Sequence, residues 1–484
     1  MTKGSIGTNA LLNGIKEACT ILSHFISFVY CSRILGSDGF GAYSFGQSVV
    51  SYFVLLAALG IPNYAIREGS SQREDKRRLE RFVNEVFTIS LITTIIAYFL
   101  LLVATLYIEK FYDYKWIIAI LSIQIALNTL GTDWINSIYE DYLYLAVRCI
   151  IIQIISLVCI FVFVNTSNDL YKYAFITMLS NAGGNILNIF YLKKHGVSPK
   201  PVFRNNIKKH LLPIIILFCN SLAVVVYLNS DITMLGFYKS DNEVGLYSVS
   251  SKIYTLIKTL INAVIIVTVP RFSYYLGTND YTRYKTELGN TFDTLIILIV
   301  PCVLGMFIES NKILLTVAGP GYIEGVNVVK VLSAALVFAV GACFFSYSIL
   351  IPNRLEKRFL QSTIFAAITN ISLNFLFIPW LGIIGAALTT LIAEIIVCIV
   401  SCIFGFKQAR FAVDFKSLLT VLISGGLVLI VCLCTDYIIN DWRFAFAIEI
   451  IVCAIVYFSV LYLLKNRIIR KVVHMIDGKL RGKA

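Results

Sequence analysis

The chain has 484 residues, 58% of them hydrophobic and 14% charged, and a mean hydropathy of +0.80. A soluble chain of this length would divide into about three domains, which this apolar excess excludes. The net charge of +13 does not require nucleic acid, because the cations are concentrated in the loops on one side.

Apolar runs recur from end to end, each long enough to cross a hydrocarbon core of about 30 Å. The first, at about 10–32, lacks a small-residue cleavage site and is too long for a cleaved leader. Others follow at about 42–66, 83–107, 116–137, 142–164, 171–192, 211–235, 245–270, 289–309, 326–351, 359–380, 382–405, 417–439 and 444–465. The expected fold is an all-α polytopic membrane protein with about 14 transmembrane helices. The narrowest separation is at Pro379 and Gly382.

Lys and Arg cluster in the loops after even-numbered helices: Arg67–Arg81, Lys193–Lys209, Arg271–Lys285, Arg354–Arg358, Lys407–Lys416 and the tail from Lys465. The opposite loops hold isolated cations such as Lys110, Lys172 and Lys312. By the positive-inside rule both termini are cytoplasmic. Trp116, Trp380 and Trp442 then fall at the other interface, as anchors should.

The chain repeats itself. Ser37-Asp38 with Gly41-Ala42-Tyr43-Ser44 returns as Ser240-Asp241 with Gly245-Leu246-Tyr247-Ser248, each leading into a long apolar run. This reads as an internal duplication of a membrane bundle. In the first copy, Gly36, Gly39 and Gly41 are expected to form a turn before helix 2.

Soluble-type chemistry is not signalled. The twelve cysteines lie in or beside apolar runs without a CxxC pair, and the four histidines are scattered. They read as buried small residues rather than metal or disulfide chemistry. No GxxxxGK[ST] or HExxH stretch occurs. No catalytic residue, metal or cofactor is therefore expected.

Polar groups inside the spans carry the functional signal, since each is expensive in a membrane. In helix 1, Asn13, Glu17, Thr20, His24, Ser27 and Cys31 share a face, with Lys16 beside them. In helix 8, Ser248, Ser251, Thr255, Lys258 and Asn262 do the same, with Lys252 beside them. Either stripe lines a wet cavity or supplies helix–helix hydrogen bonds. Aligned on the repeat, Lys252 stands opposite Ser48 and Lys258 opposite Val54, so the second copy has gained two cations. A cavity for an anionic substrate explains that gain. Arg33, at the first turn, and Arg148, two turns into helix 5, are further substrate-binding candidates. Asp231 either pairs with a lysine of helix 8 or takes part in ion coupling. Glu394 and Glu449 are protonated structural groups or relay groups. Glu85, Asp293 and Lys330, near helix ends, and the acidic turn Glu140-Asp141 have simpler structural readings.

The residues also resemble a family. Ser32-Arg33-Ile34-Leu35-Gly36 through Gly41-Ala42-Tyr43-Ser44, then Leu59-Gly60-Ile61-Pro62-Asn63-Tyr64 with Arg67-Glu68, is similar to the N-terminal signature of Wzx-type polysaccharide flippases. These belong to the multidrug/oligosaccharidyl-lipid/polysaccharide exporter superfamily. Asp133-Trp134 with Glu140-Asp141-Tyr142 and Arg148, Asp231-x-x-Met234-Leu235-Gly236 with Glu243–Ser248, Lys252-Ile253 and Pro270-Arg271, and Leu381–Ala387 with Glu394 resemble later segments of that family. Ile135 departs from it, where an aromatic is expected. The resemblance covers most of residues 1–405.

It implies two six-helix lobes around a central cavity. Residues 1–192 and 211–405 would form them, joined by a basic cytoplasmic linker (193–210) and followed by two extra helices and a basic tail (406–484). It implies a lipid-linked oligosaccharide substrate on undecaprenyl (polyprenyl) pyrophosphate, for O-antigen or capsule synthesis, moved by alternating access in the bacterial inner membrane. Membrane lipids are the other expected partners, with polymerase and chain-length proteins of the same pathway as further ones. A multidrug or cation antiporter on the same scaffold would favour acidic cavity residues. A polymerase or ligase would carry a long outer loop, and this chain has none.

Overall fold

The computed structural model describes residues 6–194, 199–202, 207–439 and 441–480. Parts of the predicted basic linker, including His195 and Arg204, lie outside the described residues. So do Arg481 and Lys483 of the tail.

The described residues form helices and short 3₁₀ or π turns, and no strand occurs among them. Among the described residues, ten helices are long and apolar enough to cross a membrane. Two of these bend at a non-helical glycine and so cross twice. The shorter helix Lys115–Gly131 and the broken pair Leu170–Ala182 and Gly184–Lys194 supply two further crossings, which accounts for about fourteen in all.

The first helix, α1 (Ile6–Ala58), contains predicted span 1 and most of span 2, whose last residues fall beyond its end. The expected three-glycine turn contracts to Gly36 alone, at φ 69°. Gly39 and Gly41 are helical. Only Gly36 adopts a backbone conformation that disfavours a side chain. Leu59 and Gly60 also have positive φ, which ends α1 before α2 (Ile61–Ser70). Next comes α3 (Lys76–Tyr107), capped where Asp75 accepts from the Arg78 amide at 3.0 Å. Its Ile95, Phe99, Leu102 and Leu106 recur at helical spacing and are all more than half exposed, as a lipid-facing stripe is.

The predicted span 116–137 is two helices. After α4 (Glu109–Asp113), α5 (Lys115–Gly131) stops at Thr132, whose φ is 46°, and α6 (Asp133–Ile138) begins. Next is α7 (Tyr142–Phe163). The predicted span 171–192 is also broken, into α8 (Leu170–Ala182) and α9 (Gly184–Lys194) around Gly183. In both cases the polar residues at the break find tertiary partners, described below, which the apolar pattern does not reveal.

These helices, with α10 (Lys208–Tyr238) and the first turn of α11 (Asp241–Gly277), form one compact unit, Met1–Gly245. By its packing α10 groups with the N-terminal helices. Gly60 lets the α10 backbone approach, because a Cβ there would meet Ile214, Leu217 and Phe218 backbone atoms. Gly236 of α10 lies against the Phe45 ring. The repeat motifs meet reciprocally inside this unit: a Cβ on Gly41 would collide with the Asp241 backbone, and one on Gly245 with the Ser37 backbone. Tyr114 donates a hydrogen bond to Asp241 at the same junction. The motif repeated in the two copies is thus a packing motif.

The second unit, Leu246–Ala484, continues from α11. It contains α12 (Tyr281–Ile308), α13 (Ser310–Val317) and α14 (Val326–Cys343), which runs into a π turn at Phe344–Leu350. Then come α15 (Glu356–Gln408), α16 (Phe415–Ile438), α17 (Trp442–Leu463) and α18 (Arg467–Leu480). The break expected near Pro379 and Gly382 is present at Gly382, with φ 56° and ψ −132°. Trp380 beside it is 85% exposed, as an interfacial anchor is.

Outside the spans, Lys312 of α13 contacts three carboxylates. Glu309 lies at 2.9 Å, Glu449 at 2.7 Å, and Asp436 is its third partner. Burial alone lowers the Lys312 pKa, but hydrogen bonds to Asp436, Glu449 and Glu309 outweigh it and hold the pKa above the usual lysine value. Glu449, an isolated acid in the sequence, is therefore the partner of a loop lysine, and the ammonium joins α13 to the α16–α17 hairpin.

Candidate functional site

The predicted charges of the second unit are brought together. Lys258 of α11 lies 2.5 Å from Glu394 of α15, and Tyr254, one turn earlier, donates to the same carboxylate oxygen at 2.8 Å. The Glu394 side chain is 4% exposed and that of Lys258 20%. The helical spacing of Tyr254 and Lys258 places both on the face that meets α15. A substrate-binding candidate and an ion-coupling candidate are thus one charge pair. Lys252, a turn and a half earlier, is half-buried.

The polar stripe around them does not share one environment. Ser248 is fully buried, Ser251 and Asn262 are half-buried, and Thr255 is exposed. In the first unit the helix 1 stripe divides in the same way. Asn13, Glu17 and His24 are exposed, whereas Ser27 and Cys31 are buried. Lys16 pairs with its neighbour Glu17 at 3.1 Å. Arg33 is exposed beside the Gly36 bend. Asp231 of α10 is buried, two residues from Thr233, whose hydroxyl bridges Tyr52 at 3.1 Å and Ser48 at 3.0 Å.

Arg148 is buried, 7% exposed, and pairs with Asp133 at 2.6 Å. Gly184 of α9 sits beside its guanidinium, where a Cβ would come within 3.2 Å. Around Asp133 lies a group of amides that sequence reading missed. Asn188 donates to Asp133 at 3.1 Å and to the Gly131 carbonyl at 2.5 Å, and it accepts from Asn136 at 2.6 Å. Asn185 lies 2.9 Å from Asn128, and with its amide nitrogen turned to Asp133 it donates to that carboxylate at 2.9 Å. The signal was available: Asn128, Asp133 and Asn136 in one apolar run and Asn185 and Asn188 in another are all costly in a membrane. A second missed cluster is buried where α2, α3 and α10 meet. His210 bridges Tyr64 at 2.6 Å and Glu85 at 2.9 Å, and Lys209 joins Glu85 at 2.9 Å.

Charge and polar groups sequestered by partner side chains recur across these geometries. They are buried charges, each held by a partner, inside an apolar bundle. That pattern suits movement of a polar cargo more than bond chemistry. The likeness to known proteins agrees. Residues 6–276, more than half of the chain, match the family described as polysaccharide biosynthesis protein.

The chain belongs to that family.

Among curated members with similar sequences, a "Putative O-antigen transporter" of Escherichia coli is 22% identical over 406 residues, 82% of this chain and 95% of that protein. A "Probable flippase AglR" of Haloferax volcanii is 24% identical over 396 residues, 80% of each chain. Among solved structures, the lipid II flippase MurJ in an inward closed conformation matches with a TM-score of 0.76 and 18% identity, over 96% of this chain and 100% of that one. An inward-facing multidrug resistance MATE transporter matches with a TM-score of 0.62 and 14% identity, over 80% and 94%. At these identities the structural matches establish the fold, which this member of the polysaccharide biosynthesis family shares with both.

Proposed function

We propose that this protein is a flippase. It moves a polyprenyl-pyrophosphate-linked oligosaccharide repeat unit from the cytoplasmic to the outer leaflet by alternating access, for cell-surface polysaccharide such as O-antigen or capsule. The observation that carries the reading is the family match together with the similarity along nearly the whole length of a relative named as an O-antigen transporter. The MATE likeness keeps the antiporter scaffold in view, but fold alone assigns no cargo. The gain of Lys252 and Lys258 in the second repeat copy favours an anionic one.

In this reading the protein acts as a transporter and not as an enzyme. It sits in the bacterial inner membrane with both termini cytoplasmic, as the placement of its basic loops supports. Residues 1–192 and 211–405 are its working lobes, and 406–484 are accessory. Lys252, Lys258, Arg33 and Arg148 serve the pyrophosphate. Asp231 and Glu394 serve ion coupling. Lys16, Glu17, His24, Ser248, Ser251, Thr255 and Asn262 line the path. Lys258 rests on Glu394 until a phosphate competes for it, which couples the two roles. Polymerase and chain-length proteins of the same pathway are the expected partners.

The test is a reconstituted flipping assay. Proteoliposomes carry the glycolipid that accumulates in cells lacking this chain, and its outer-leaflet exposure is followed by a membrane-impermeant lectin or oxidant. Transbilayer movement at the rate of empty liposomes sinks the reading.

A further inference from the structure

The first unit encloses a cavity of about 310 Å³ where α1, α2, α3, α5, α6 and α9 meet. This is the low end of the range for small-molecule sites, about 300–1,000 Å³. Its polar lining is Ser90, Asn128, Thr129, Asp133, Ser137 and Asn185. Trp134, Ile125 and the apolar residues of α1 and α2 line the rest. A largely apolar wall with a few convergent polar groups is the usual composition of an orienting site.

The charge balance selects the occupant. Among the described residues of the lining, Asp133 is the only acidic or basic side chain. Its charge is opposed from behind by buried Arg148 at 2.6 Å. A phosphate entering this space would meet a carboxylate and no lysine or arginine in the wall. A metal ion would have to compete with a guanidinium already seated on the carboxylate, and with the Asn188 amide donating to it at 3.1 Å. An uncharged polyol meets neither obstacle. The Asp133 side chain is 46% exposed and keeps acceptor capacity for hydroxyls. Asn128, which is exposed, and Ser137, which is half-buried, each donate and accept. Trp134 offers an apolar surface to the C–H face of a ring.

The surroundings hold this arrangement in place. Thr132 has a φ of 46°, a conformation that strains a β-branched residue and that surrounding structure must enforce. The strained turn sets Asp133 at the cavity. Gly131 admits Asn185, whose side chain occupies the space a Cβ would take.

We infer that this cavity is a sugar subsite, taking one uncharged pyranose of the lipid-linked glycan. The inference rests on the flippase reading, and it adds a recognition site for the carbohydrate separate from the lysines assigned to the pyrophosphate. In that orientation the cavity lies toward the cytoplasmic end, beside α2 and its basic exit, where the cargo is loaded.

The experiment is equilibrium binding to purified full-length protein of two probes. One is the polyprenyl-pyrophosphate glycolipid extracted from cells that lack this chain and so accumulate it. The other is undecaprenyl pyrophosphate without sugar. The double variant Asn128→Ala/Ser137→Ala alters two side chains open to the cavity. It is expected to weaken glycolipid binding by about tenfold, the worth of two modest hydrogen bonds, and to leave undecaprenyl pyrophosphate binding unchanged. Ser90→Ala removes a further hydroxyl of the lining and is expected to show the same selective loss. Equal loss for both probes, or undiminished glycolipid binding in the two variants, overturns the inference. Wild-type protein that binds neither probe refutes the flippase reading itself, and the inference falls with it.

Discussion

Replacing Lys258 by methionine keeps most of the stem and removes the ammonium, leaving Glu394 buried beside the Tyr254 hydroxyl at 2.8 Å. Breaking a buried ion pair from one side costs about 3–5 kcal/mol. Lys258 keeps a fifth of its side-chain surface exposed and Tyr254 remains in place, so the low end, about 3 kcal/mol, applies. Adding Glu394→Gln removes the stranded charge, and the new amide still meets the Tyr254 hydroxyl. The double variant is therefore expected to recover most of the loss, a coupling of about 2 kcal/mol or more in a double-mutant cycle. Folded fraction after heating in detergent, read by size-exclusion chromatography, ranks the four proteins. Transport separates the roles of the lysine. If Lys258 also meets the pyrophosphate, the double variant is stable yet exports poorly. Wild-type export by the double variant reduces Lys258 to a structural counter-ion. A Lys258→Met single variant as stable as wild type refutes the energetic reasoning itself.

Gly41→Ala and Gly245→Ala each drive a Cβ into the backbone of the other repeat motif. Backbone cannot rotate away as a side chain can, so each is expected to cost about 1–3 kcal/mol, seen as a lower melting temperature and less folded protein in the membrane. Gly426→Ala, where a Cβ meets nothing within 4 Å, is the neutral control. Lys312→Met strands Glu309 and Glu449, 8% and 2% exposed. A loss of about 3–5 kcal/mol is expected, recovered in large part by Lys312→Met/Glu309→Gln/Glu449→Gln, with thermal unfolding of the purified protein as the measurement.

Much of the architecture was legible because a bilayer imposes one strict requirement. Backbone polar groups must be satisfied within the segment, so long apolar runs are helices. That rule located the crossings and the break at Gly382. It failed at Thr132 and Gly183, where spans that read as continuous are broken. Thr132 adopts a conformation its side chain disfavours, and only packing in the folded unit enforces that. The repeat motif was visible, but its meaning was not. Gly39 and Gly41 read as turn formers, whereas Gly41 is a contact surface for the other copy.

For the candidate sites, sequence determined which residues needed an explanation, because a charge or amide inside an apolar run is costly wherever it sits. It could not say which residues answer one another. Glu394 finds Lys258 and Tyr254 across more than 130 residues, Arg148 finds Asp133 across a helix break, and Glu449 finds a loop lysine. Those pairings depend on helix rotation and approach, which are set by the packing of many side chains at once and not by local pattern. The sequence by itself thus determined that this is a many-helix membrane protein with buried charge. Only the tertiary structure decided which charges pair with one another, because that depends on how the helices rotate and pack.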